Sequence, residues 1–98
     1  MKENISGNEL NQRLSLSNKT QIFHNVAGIK KSEMGEYEEA IQHFTKAIGL
    51  DPKNAISYFN RATLKVRVGD IEGARSDFKM SEYCHSNADF QFEDYPLL

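Results

Sequence analysis

Residues 35–52 read GEYEEAIQHFTKAIGLDP, and residues 69–86 read GDIEGARSDFKMSEYCHS. A glycine, an acid, an alanine and a phenylalanine fall at the same offsets in both: Gly35, Glu38, Ala40 and Phe44 against Gly69, Glu72, Ala74 and Phe78. Carried outward, an offset of 34 aligns residues 21–54 with 55–88 and adds Ile22/Ile56 and Lys31/Lys65, six identical pairs in all. A break followed by acidic, small and aromatic residues at constant spacing is repeated structural punctuation.

Each unit predicts helix, turn, helix, because apolar residues recur at three- and four-residue spacing on both sides of the glycine. Tyr37, Ala40, Ile41, Phe44, Ala47 and Ile48 form one apolar face, and its counterpart holds Ile71, Ala74 and Phe78 before fading through Ser81 and Glu82. Gly35 and Gly69 stand where a helix ends on a left-handed residue, and Asp70 is placed to cap the helix that follows. Asp51-Pro52-Lys53-Asn54 stops one helix, with Asn54 as the N-cap of the next. The expected helices cover 20–34, 37–50, 55–68 and 71–84, an all-α chain.

The two first helices each carry more than one apolar stripe. In 21–34, Phe23, Ala27 and Met34 read as core, with Ile22, Val26 and Ile29 on a second stripe beside Asn25. In 55–68, Tyr58, Ala62, Leu64 and Val68 read as core, with Ile56, Phe59 and Val66 on another face among Asn60 and Thr63. A second stripe is either further core, buried beneath terminal segments, or a binding surface.

The chain resembles the tetratricopeptide-repeat family. The later half of that family's pattern, Ala-x3-Phe followed by Pro, appears as Ala40, Phe44 and Pro52, and again as Ala74 and Phe78. The earlier half is less faithful. His24, Ala27, Gly28 and Lys31 stand at the family's Trp, Leu, Gly and Tyr positions in the first unit, and Tyr58, Arg61, Ala62 and Lys65 in the second. The resemblance covers residues 21–88 and implies two tandem helix-turn-helix repeats in a short right-handed superhelical array with atypical terminal segments. It also implies a concave groove, lined by the first helix of each repeat, that holds peptides. The candidate partner-binding residues are then Ile22, Asn25, Val26, Ile29, Ile56, Phe59, Asn60, Thr63 and Val66, with Arg61 and Arg67 as flanking charges. Asn60 matches a family position whose amide contacts a bound backbone. The family's clamp for chaperone tails wants Lys and Asn where this chain has Asn25 and Ile29, and needs a third repeat, so that activity is not expected.

With 98 residues, 39% hydrophobic and 27% charged, one small domain is the expectation. A formal charge of −2 gives no global field for nucleic acid or an anionic membrane. Cys84, the single cysteine, and an opening MKENISG without an apolar signal core fit a reducing, cytoplasmic setting. The three histidines lack metal-ligand spacing, no phosphate-cradling or nucleophile-elbow motif occurs, and nothing in the sequence activates Cys84. Neither a cofactor, a metal nor catalysis is expected.

Charge is nonetheless segregated. The first-helix segments carry Lys30, Lys31, Glu33, Arg61, Lys65 and Arg67, net +4, whereas 36–50 and 70–84 together carry −4. Residues 85–98 add −3 from Asp89, Glu93 and Asp94. The basic layer points to a protein or peptide partner of acidic or mixed acidic and apolar character.

The flanks divide the chain further. Residues 1–20 form a polar segment in which a short capping helix after Asn8 and no fixed structure are both open. Residues 89–98 form an acidic aromatic tail whose Phe90, Phe92 and Tyr95 are candidates for docking on the protein's own groove or a neighbour's. Two repeats also leave apolar surface to cover, so the alternative to a partner-binding module is self-association, the tail and terminal helix capping another copy.

Overall fold

The computed structural model describes residues 6–89. It contains four helices in order, α1 (Gly7–Glu33), α2 (Tyr37–Leu50), α3 (Ala55–Val68) and α4 (Ile71–Asp89), with no strand among the described residues. Each helix packs on its neighbour in the chain, α1 on α2, α2 on α3 and α3 on α4. This is an all-α helical-repeat array. The expected tail-docking residues Phe90, Phe92 and Tyr95 lie outside the described residues.

Local chemistry accounts for the breaks. Gly35 and Gly69 adopt φ of 80° and 91°, the left-handed region that ends α1 and α3. The Asn54 carboxamide oxygen accepts from the Ile56 and Ser57 amides and starts α3, while Asp70 Oδ1 accepts from the Gly73 amide at the start of α4. α1 begins earlier than the 20 expected, at a capping box in which Ser6 Oγ accepts from the Glu9 amide and Glu9 accepts from the Ser6 amide. No proline interrupts the run from Gly7 to Glu33, so residues 7–20 continue the first helix of the first repeat. α4 likewise runs past 84 to Asp89. His85-Ser86-Asn87-Ala88 stands where the first repeat has Asp51-Pro52-Lys53-Asn54, and it lacks the proline stop.

The core centres on Phe44, 1% exposed, with Ala40 and Leu64 around it and Tyr37 and Ile41 packed alongside. A β-carbon at Gly28 would come within 2.8 Å of the Phe44 ring, so the glycine lets the ring lie against the α1 backbone. Tyr58, Ala62 and Leu64 are buried as expected, but Val68 is exposed. Phe23 and Met34, expected in the core, are 61% and 64% exposed. The stripe of α1 that turns inward is Gln21, His24, Gly28 and Lys31, a helical face with almost no apolar content.

That polar stripe is held by specific pairs. Lys31 Nζ lies 3.0 Å from Glu36 and 2.8 Å from Glu39, and these hydrogen bonds raise its pKa. His24 and His43 meet across α1 and α2 with their Nδ1 atoms 3.1 Å apart, one donating and the other accepting, and Phe23 sets its edge against both rings. Partial burial first, then the charges of His43 and Lys46, hold the His24 imidazole below its ordinary value. The unfolded chain therefore takes up the proton first as pH falls, and this contact stabilises the fold above about pH 6.5 and weakens below it. Thermal unfolding followed by circular dichroism between pH 7.5 and 5.5 is expected to show a midpoint falling by a few degrees. His24→Phe is expected to flatten that part of the profile.

Candidate partner-binding cleft

Two of the expected stripes come together between the first helices of the repeats. Ile29, Ser32 and Glu33 of α1 face Asn60, Thr63 and Leu64 of α3 across an open cleft of about 160 Å³, with Phe44 of α2 at its floor. Ile22 and Val26 continue the Ile29 stripe along α1 and are 57% and 46% exposed. Ile56 continues the Asn60 and Thr63 stripe along α3 and is 68% exposed. The Thr63 hydroxyl donates to the Asn60 backbone carbonyl. Asn60 is half-buried in the cleft wall.

The remaining candidates have other roles. Ser57 Oγ donates to Asn25 Oδ1 at 2.8 Å, so Asn25 ties α1 to α3. Phe59 stacks edge-on against Phe78 of α4 with centroids 5.5 Å apart, and Val66 also faces α4, so both sit on the far side of α3 from the cleft. Arg61 does not flank the cleft. Its guanidinium donates to both carboxylate oxygens of Asp77, at 2.7 and 2.8 Å, and to Thr45 Oγ1. Arg67 lies over the Tyr37 ring and donates to its hydroxyl.

This arrangement changes the meaning of the charge pattern. Lys65 Nζ also reaches Asp77, at 3.0 Å, and Asp77 is only 3% exposed. Burial pushes the Asp77 carboxyl up, but hydrogen bonds from Arg61 and Lys65, together with their charges, bring it below the ordinary carboxylate range. The basic first helices and acidic second helices therefore neutralise each other inside the fold. Arg13, Lys19, Lys30 and Arg67 are the cations of α1 and α3 outside ion pairs among the described residues, and Glu33 places an acid at the cleft.

Sequence reasoning omitted Ser32, Glu33, Phe44 and Leu64 from the cleft. Phe44 carried a signal, its identity with Phe78, but that signal was structural. Cys84 is buried with Sγ 3.7 Å from the Pro52 carbonyl, and burial followed by the Asp51 charge pushes its thiol up, the opposite of nucleophile activation. Among the described residues no group of three or more His, Cys, Asp or Glu is placed to hold a metal, and no helix is long and apolar enough to cross a membrane.

Residues 32–75 match a family model described as TPR repeat. The chain is 40% identical over 54 residues to tetratricopeptide repeat protein 36 of Danio rerio, covering 55% of this chain and 29% of that protein. It is 35% identical over 65 residues to a Nematostella vectensis homolog of the same protein, covering 65% and 36%. Against the TPR repeat-containing thioredoxin TTL4 of Arabidopsis thaliana it is 30% identical over 78 residues, 80% of this chain and 11% of that one. The chain thus spans about a third or less of the length of these relatives. No solved structure gives a significant match.

Proposed function

This chain belongs to the tetratricopeptide-repeat family, and from that premise we propose that it is a non-enzymatic protein-interaction module that binds a polypeptide segment across the α1–α3 cleft. The observation that carries this reading is the open cleft beside a continuous exposed stripe, Ile22, Val26 and Ile29, on one wall and Asn60 on the other. Apolar side chains of the partner would supply affinity against the isoleucines and valine, and the Asn60 amide would align its backbone. Because Arg61 and Lys65 are engaged with Asp77, apolar fit selects the partner more than charge does. Lys30, outside any ion pair among the described residues, leaves a modest preference for acidic flanks. A protein or peptide segment of mixed acidic and apolar character is the partner class this predicts.

Peptides selected from a displayed random library on the intact chain, then titrated by fluorescence polarisation, test the reading. Ile29→Glu is expected to weaken binding at least about tenfold, and Asn60→Ala by about fivefold, the worth of one hydrogen bond. Selected peptides whose affinity ignores both substitutions would place recognition elsewhere and remove the cleft from consideration.

A further inference from the structure

Phe44 and Phe78 occupy the same position in the two repeats, yet Phe44 is 1% exposed and Phe78 36%. Leu64 of α3 closes over Phe44. Over Phe78 there is instead an open apolar trough of about 320 Å³, floored by Val66, Ile71, Ala74 and Phe78 and rimmed by Arg75, Lys79 and Glu82. It is the slot that a third repeat's first helix would fill.

The nine residues that follow α4, FQFEDYPLL at 90–98, have the composition to fill it. One repeat length beyond the buried Tyr58 and Leu64 stand Phe92 and Leu98, so the tail carries apolar residues of the kind that Leu64 supplies over Phe44. Pro96, one repeat beyond Ala62, forbids a full helix there, and α4 itself runs five residues past Cys84 before the tail begins. A return path is needed and is short enough. Nine extended residues reach about 30 Å, whereas the ten helical residues from Asp89 back to Lys79 rise about 15 Å. Glu93 and Asp94 then meet a rim whose cations are Arg75, held only by an exposed 3.4 Å contact to Glu72, and Lys79, which joins no ion pair among the described residues.

We infer that residues 90–98 fold back in cis onto the α3–α4 face, seating Phe92 and its apolar neighbours against Ile71 and Phe78. This face lies on the opposite side of α3 from the cleft, so the inference stands independently of what the cleft binds.

The chain has no tryptophan, so Phe92→Trp gives a single reporter in the full-length protein. Its emission is expected to be blue-shifted, and acrylamide quenching severalfold weaker than in a peptide of residues 85–98 bearing the same substitution, at every protein concentration. Ile71→Glu, at a half-exposed position, is expected to restore peptide-like quenching with helicity retained. Should that variant lose its helicity, Arg75→Glu with Lys79→Glu, both on the exposed rim, is expected to raise quenching without entering the core. Three outcomes overturn the inference: peptide-like emission in the parent, protection that disappears on dilution and so marks a second copy as occupant, or protection removed by Ile29→Glu and untouched by the end-face variants.

Discussion

Asp77→Ala is expected to cost about 3 kcal/mol of folding stability, among the largest losses from any single substitution in the chain. The carboxylate is 3% exposed and receives Arg61 at 2.7 and 2.8 Å and Lys65 at 3.0 Å. Truncating it leaves two cations, 16% and 19% exposed at their side chains, without an anion in the α3–α4 interface. Urea denaturation followed at 222 nm measures the loss at pH 7. The triple variant Asp77→Leu with Arg61→Met and Lys65→Met should recover most of it, since replacing the carboxylate and both its cations removes the uncompensated charge.

The same group sets part of the acid limb. Its carboxyl titrates below its unfolded value, so its contribution is complete above about pH 4 and is lost as pH falls through the lower folded value. Asp77→Asn should therefore be less stable than the parent at pH 7 and converge on it in acid. A constant difference across that range would show that packing, not charge, makes the position important.

Phe44→Ala is expected to cost about 4 kcal/mol, the usual loss for a fully buried aromatic ring whose surroundings cannot collapse. Phe44 touches the α1 backbone at Gly28 and Leu64 of α3, so its removal opens a void between repeats. Phe78→Ala, the same change at the equivalent position, is expected to cost less, because the described residues leave that ring 36% exposed and the returning tail proposed above is its remaining cover. Equal losses from the two variants would mean that Phe78 is covered as thoroughly as Phe44.

The contrast between these two phenylalanines shows where sequence reading succeeds and stops. Their identity marks the repeat, and periodicity correctly put both on the inward faces of second helices. Burial depends on what packs above the ring, and among the described residues Leu64 closes over Phe44 while no helix lies over Phe78. α1 presents the complementary difficulty. Its inward stripe, Gln21, His24, Gly28 and Lys31, carries no apolar periodicity, so the sequence points to Phe23 and Met34 as core although both lie exposed. The cleft was legible in Ile29, Asn60 and Thr63, because the second stripe they occupy has helical spacing. The fates of Asn25, Phe59, Arg61 and Val66 were not, because each is set by a neighbour on another helix.

The repeat length, the four helices and their turns are local properties of the chain, since left-handed glycines, the Asn54 and Asp70 caps and the Pro52 stop act over a few residues. Which charges remain available to a partner is set by the packing of the helices. Arg61 and Asp77 lie on separate helices sixteen residues apart, and whether opposite charges attract a ligand or each other depends on the distance between them in the folded chain.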